Sequence, residues 1–244
     1  MSSDVQPHER IFIPLDTPDL DRALELATML KGLVGGVKIG KEFFTALGPE
    51  GVHSVTELGM PLFADLKFHD IPNTVAGAVR SCVRLKPVIL NIHAQGGRTM
   101  METACDAAAE EAAKIGINVP LILGVTVLTS LDDSDLNDVG ISDTTLDQVK
   151  RLAALSQECG LDGVVCSAAE IEALRGTCGP EFKLLTPGIR PEWAAAGDQK
   201  RIVTPGDAIK RGADYLVIGR PIYGSDEPAE AARRIAAEIV EALG

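Results

Sequence analysis

Several features that would assign this sequence to a common class are missing from it. Its five cysteines, Cys82, Cys105, Cys159, Cys166 and Cys178, are odd in number and include no Cys-x-x-Cys pair. Neither a secreted disulfide framework nor a structural zinc site is therefore expected. The longest strongly apolar stretch, Pro120 to Leu128, falls far short of the roughly 20 residues a membrane-spanning helix needs. The N-terminal run MSSDVQPHER lacks the charged-then-apolar layout of a secretory leader. These absences lead us to expect a soluble protein of a reducing compartment, the cytoplasm. Basic charge is scarce too: 23 Lys and Arg stand against 35 Asp and Glu, a formal net charge of −12. That balance disfavours nucleic acid and anionic membranes as partners. A small anionic ligand would have to be received by a local cluster of cations or backbone N–H groups. No Gly-x-Gly-x-x-Gly follows the first candidate strand, which counts against a dinucleotide-binding fold.

What is present is a regular alternation. Of the 244 residues 45% are apolar, and the glycines and prolines sit between periodic segments rather than in tracts. A chain of this length can bury roughly three quarters of its unfolded surface in one core. Candidate strands are Ile11–Asp16, Gly36–Gly40, Pro61–Lys67, Ile89–Ala94, Leu121–Leu128, Gly163–Ser167, Lys183–Ile189 and Tyr215–Arg220. Amphipathic, alanine-rich segments lie between them. Thr17-Pro18 and Thr204-Pro205 read as N-caps followed by proline at the first helical position. Ser167 with Glu170 fits a capping box. Leu146, Val149, Leu152, Ala153 and Leu155 form an apolar stripe closed by Gly160, and a last helix spans about Pro228 to Leu243. Near-continuous apolar strands alternating with helices imply a parallel sheet covered on its faces. Eight repeats favour closure, so the expected fold is α/β, a single (β/α)8 TIM barrel over residues 1–244. Residues 1–10 are expected to be a flexible or peripheral extension.

In such barrels chemistry sits at the carboxyl ends of the strands. Those ends carry Asp16, Lys38, Asp65 with Lys67, His93, Thr129, Arg190 and Arg220. Charged side chains are costly inside a barrel unless paired, so several at one rim point to a site. The densest segment is Asp65-Leu66-Lys67-Phe68-His69-Asp70-Ile71-Pro72-Asn73-Thr74. Strand alternation sends Asp65 and Lys67 to one face, with Asp70 just past the strand. A lysine flanked by carboxylates is held in its charged form, keeping a proton available. A lone Asp-x-Lys is more often a structural ion pair; Lys38 on the next strand and Asp16 beyond it shift the balance towards a site.

Loops after strands 7 and 8 of such barrels commonly hold phosphate. Here they contain Thr186-Pro187-Gly188-Ile189-Arg190 and Ile218-Gly219-Arg220. Either arginine alone reads as a solvated surface residue; together at two strand ends they suggest an anion site. The stretch from Pro191 to Val203 is long and rich in small residues. It reads as a mobile lid, with Gln199 as its best ligand candidate. His93 reads equally as a structural or a substrate-touching residue, and His53 and His69 as surface residues. The acidic stretch Leu131 to Ser142 reads as a solvated loop with a closing motion, and Trp193 as lid packing.

At Asp65-x-Lys67-x-x-Asp70-Ile-Pro-Asn-Thr74 the sequence resembles the orotidine 5′-monophosphate decarboxylases in their bacterial form. The likeness extends to Leu15-Asp16, Val37-Lys38-Ile39-Gly40, Leu128-Thr129-Ser130, Thr186-Pro187-Gly188-Ile189-Arg190, Gly197-Asp198-Gln199 and Ile218-Gly219-Arg220-Pro221-Ile222. The resemblance implies a homodimer with active sites at the subunit interface. It implies a charged network of Lys38, Asp65, Lys67 and Asp70, with Asp70 and Thr74 entering the partner's site. Asp16, Lys38 and Asp70 would hold ribose hydroxyls, and Thr129 would lie near the pyrimidine. Gln199, Gly219 and Arg220 would grip phosphate with help from Arg190, and Ile71 and Pro187 would complete the substrate contacts. No metal or cofactor is implied. Lys67 as an ammonium would stabilise charge developing at C6 and then protonate it. Two rivals remain at this level. A magnesium-dependent sugar-phosphate lyase of the same barrel group would share Asp-x-Lys-x-x-Asp but place a glutamate at the position of Lys38. A non-catalytic nucleotide-binding barrel would have little reason to keep Asp65 and Lys67 together.

Overall fold

The computed structural model describes residues 5–194 and 203–244. Its strands are β1 (Ile11–Pro14), β2 (Gly36–Ile39), β3 (Leu62–Phe68), β4 (Ile89–His93), β5 (Leu121–Val125), β6 (Gly163–Val165), β7 (Lys183–Pro187) and β8 (Tyr215–Val217). They join in chain order as a closed parallel barrel, the (β/α)8 architecture expected. The intervening helices are α1 (Leu20–Leu30), α2 (Lys41–Thr56), α3 (Pro72–Val83), α4 (Arg98–Ile115), α5 (Asp133–Asp138), α6 (Thr145–Glu158), α7 (Ile171–Cys178), α8 (Pro205–Arg211), α9 (Arg220–Tyr223) and α10 (Pro228–Leu243). All eight candidate strands are present, most of them trimmed at the carboxyl end, where the chain leaves the sheet to form the rim.

Contacts group the chain into two compact units, Met1–Leu66 with Thr186–Gly244, and Lys67–Leu185. In the first, β1 is buried at every position, as a strand covered on both faces must be. Phe12 meets Phe63 and Tyr215 edge-on, with ring centroids 6.1 and 5.9 Å apart, a favoured aromatic geometry. Helix α10 buries Ala231, Ala232, Ile235 and Ile239 along one stripe and packs on α8 and α9. Each isoleucine buried in this way stabilises the unit by roughly 1.5–3 kcal/mol. A 3-10 turn at Pro7–Arg10 also packs on α10, and Arg10 Nη1 donates to the Asp214 carbonyl at 3.1 Å. Thr204 caps α8 through Asp207 N–H, with Pro205 at the first position, as the sequence suggests. The start of α1 differs from expectation. Asp19, not Thr17, accepts from Arg22 N–H, while Thr17 Oγ1 accepts from Asp19 N–H, so the helix opens later and Pro18 lies outside it.

In the second unit α3 lies along α4. Buried Ala104, Ala107, Ala108 and Ala112 give α4 a slim face that allows close approach. Arg84 reaches across to the buried Glu111 with Nε 2.7 Å from Oε1, and this hydrogen bond holds the Glu111 carboxyl below its usual range. The stripe of α6 is rotated from the expected one. Gln148, Val149, Leu152, Ala153 and Ser156 are buried, whereas Leu146 is exposed. Ser156 satisfies itself by donating to the Leu152 carbonyl at 2.8 Å. Only part of the expected capping box forms before α7. The Glu170 carboxylate accepts from Ser167 N–H, but the helix begins at Ile171. The acidic stretch after β5 is not simply loop. Asp132 caps α5, and its own N–H donates to Asp135 in a reciprocal box. Acidic groups at a helix start are favoured by its dipole.

Candidate active site

In the first unit, strand register builds a compact charged cluster. Pro14 of β1 pairs with Lys38 of β2, and Leu15 N–H donates to the Lys38 carbonyl at 2.9 Å, which sets Asp16 beside Lys38. On the other side Ile39 pairs with Ala64, one residue before Asp65. The Lys38 ammonium lies 3.1 Å from Asp16 Oδ1 and 3.2 Å from Asp65 Oδ2. Lys38 is only 8% exposed and Asp65 9%. A buried ammonium persists because opposite charges repay its desolvation. Gly40 leaves room beside the cluster. A Cβ there would stand 3.2 Å from both Asp16 Oδ1 and Lys38 Nζ.

At the ends of β7 and β8, a cleft of about 400 Å3 is lined by Arg190, Trp193, Ala194, Arg220, Pro221, Gly224, Ser225 and Asp226. Among the described residues that line it, two guanidiniums stand against one carboxylate. Gly219 precedes Arg220, and a Cβ at Gly219 would come within 2.9 Å of Pro14 Cγ and 3.1 Å of Tyr223 Cε1, so glycine lets the chain pass. Arg220 opens the short helix α9 instead of ending β8, which stops at Val217. This corrects the sequence expectation. Proline as the second residue of α9 costs nothing there, because its missing N–H would have no helical partner.

In the second unit Lys67 lies near the end of β3 with φ of +54°. Outside glycine this left-handed conformation is uncommon and is maintained only when surroundings impose it. Here Lys67 N–H donates to Oδ1 of Asn91 at 2.8 Å, and Asn91 on β4 is wholly buried. Beyond the strand, Asp70 Oδ1 accepts from Ile71 N–H at 2.7 Å, and Pro72 begins α3. Asp70, Asn73 and Thr74 are exposed, and Ile71 is 67% exposed. The rings of His69 and His93 stand 5.3 Å apart. Thr129 is exposed in the turn after β5.

A family model described as orotidine 5′-phosphate decarboxylase / HUMPS matches residues 9–235. The chain belongs to this family. Proteins named orotidine 5′-phosphate decarboxylase from Paramagnetospirillum magneticum and Rhodospirillum rubrum are 57% and 55% identical to it. Those alignments cover 94% of this chain in each case, and 97% and 94% of the relatives. The crystal structure of orotidine 5′-phosphate decarboxylase from Lactobacillus acidophilus matches with a TM-score of 0.83 at 33% identity, covering 93% of this chain and 97% of that one.

For this member of the decarboxylase family, the structure brings together part of the expected site. Asp16, Lys38 and Asp65 form one cluster, and Arg190 and Arg220 share one cleft. Pro187 ends β7, four residues after its start. Gln199 lies outside the described residues. Lys38 makes ion pairs to both Asp16 and Asp65. Asn91 is a residue that the sequence expectations missed. Its signal is a lone amide in the apolar run Ile89-Leu90-Asn91-Ile92, where a polar group must be there to satisfy something. Trp193, expected as lid packing, is among the residues that line the arginine cleft.

Proposed function

We propose that the protein converts orotidine 5′-monophosphate to uridine 5′-monophosphate and CO2 in de novo pyrimidine biosynthesis, with no cofactor. The observation that carries this reading is the Lys38 ammonium seated between Asp16 and Asp65. A hard divalent cation needs oxygen donors in that space, and an ammonium offers none. The chain's own groups therefore fit electrostatic catalysis better than magnesium-dependent lyase chemistry.

The reaction divides into two steps. The C6–carboxylate bond breaks, CO2 leaves, and the electron pair stays on C6, in an orbital the ring cannot delocalise well. Lys67, as an ammonium two residues beyond Asp65, stabilises that charge and transfers a proton to C6. The resulting amine regains its proton from water. Asp65 faces the departing carboxylate, and Asp16, Lys38 and Asp70 hold the ribose. Thr129 lies by the pyrimidine, and Pro187 contributes to its surroundings. Arg190, Gln199, Gly219 and Arg220 take the phosphate, and their binding energy, remote from C6, helps to lower the barrier.

The active form in this reading is a homodimer in which Asp70, Ile71 and Thr74 complete the partner's site. Its support is the exposure of all three in the single chain, including an apolar isoleucine at the mouth of a helix. A cytoplasmic location accords with five cysteines left as thiols and with the finding that, among the described residues, no helix is long and apolar enough to cross a membrane.

The test is to follow the ultraviolet absorbance of orotidine monophosphate incubated with the protein. Loss of absorbance that persists in EDTA is expected; inactivation by EDTA would favour the metal-dependent lyase. Lys67→Ala should lower turnover by at least about 100-fold while uridine monophosphate still binds. Near-normal turnover in that variant would remove the proton-donor role.

A further inference from the structure

The single tryptophan of the chain, Trp193, stands in a 3-10 turn, Glu192–Ala194, a few residues after β7. The Arg234 guanidinium carbon lies 4.2 Å from its ring centroid, within the range of a cation–π contact. Arg234 belongs to α10, whose buried stripe includes the adjacent Ile235. That helix is further tied to α8 by Glu238 Oε1, which accepts from Gly206 N–H at 2.9 Å. The stack therefore fastens a short turn to a well-anchored helix. Backbone hydrogen bonds add to this attachment. Ala194 N–H donates to the Pro191 carbonyl at 3.0 Å, and Arg190 N–H donates to the Val203 carbonyl at 3.2 Å.

Trp193 and Ala194 form one wall of the cleft that also holds Arg190 and Arg220. Trp193 is 39% exposed, which is high for a ring kept only for packing. Its indole has a cation on one side and contributes surface to an anion-binding cleft. We propose that Trp193, clamped by Arg234, is a positioning residue for the phosphate end of the substrate: it fixes the Arg190–Ala194 turn so that the wall of the cleft is already formed when the anion arrives. The inference rests on reading this cleft as a phosphate site. Asp226 lines the same cleft and opposes an anion, so the arginines must be well placed to prevail. Preorganisation of this kind raises affinity without adding a contact to the ligand.

The indole serves as its own reporter. Tryptophan emission is titrated with uridine monophosphate, uridine and inorganic phosphate in the wild type, Arg234→Ala, Arg234→Lys and Trp193→Phe, the last followed by calorimetry. The wild-type emission should change saturably with the monophosphate. Arg234→Ala should shift the emission of the free protein and weaken monophosphate binding by roughly two- to fivefold, the range for an exposed cation–π pair. Uridine affinity should stay as it was, and Arg234→Lys and Trp193→Phe should each weaken monophosphate binding less than Arg234→Ala does. Equal weakening of uridine and uridine monophosphate, or unchanged monophosphate affinity in Arg234→Ala, would overturn the proposal. If the wild type fails to decarboxylate orotidine monophosphate, the functional reading falls. The phosphate titration still decides whether the clamp serves an anion site.

Discussion

Lys67 donates its backbone N–H to the buried side-chain oxygen of Asn91 at 2.8 Å, at a residue whose φ is +54°. The left-handed turn falls at the lysine proposed for the proton transfer, and a buried polar group accepts its backbone N–H. Strain of this kind is stored where a side chain must be aimed. On the proposed mechanism Asn91 would act through Lys67, as a positioning residue.

If so, Asn91→Ala should reduce kcat by about 10- to 100-fold, since small misplacements of a reacting group have effects of that size. The affinity for uridine monophosphate should change much less. Stability should also fall by roughly 1–3 kcal/mol, the cost of a lost buried hydrogen bond. Steady-state kinetics beside a urea titration separates the two effects; an intact kcat with lowered stability would leave Asn91 purely structural.

Lys38 poses a different case, because its one ammonium pairs with two carboxylates at once. Replacement by methionine removes the ammonium from beside Asp65 while roughly keeping the volume. Breaking a buried ion pair on one side costs about 3–5 kcal/mol, and the half-exposed Asp16 places this cluster at the lower end. Denaturant unfolding of Lys38→Met should show that loss. The double variant Lys38→Met with Asp65→Leu should recover much of it without recovering activity.

A pH effect follows from Arg84 and Glu111. Arg84 lowers the Glu111 carboxyl from its ordinary value of 4.5. A lowered folded-state value means that the stability it contributes is fully present above pH 4.5 and is lost as pH falls through the folded value. The melting temperatures of wild type and Arg84→Ala should therefore differ most near neutrality and converge in acid. A gap that stays constant as the pH is lowered from neutrality through the acid range would show that Arg84 acts by packing alone.

Local chemistry accounts for much of what is legible in the amino-acid sequence. Strand existence, the Thr204 cap of α8 and the span of α10 depend on residues a few positions apart, so the chain states them directly. The α5 capping box is equally local, yet its acidic composition masks it, because charge alone does not distinguish a solvated loop from a capped helix. The expectation for Arg220 fails for a related reason. Val217 to Arg220 reads as a continuing strand, and only closure of the barrel decides where pairing stops and α9 begins.

The order of residues by itself determined the alternating βα plan, the family block from Asp65 to Thr74 and the charges carried by each strand end. Tertiary structure alone decided which charges meet. Lys38 lies between Asp16 and Asp65, 22 residues from the one and 27 from the other by subtraction of their positions, because parallel register sets neighbouring strands side by side. The left-handed backbone of Lys67, its bond to Asn91 and the stack of Arg234 on Trp193 likewise join residues distant in sequence. Such contacts depend on how buried polar groups find partners once the barrel has closed, and no local propensity encodes that.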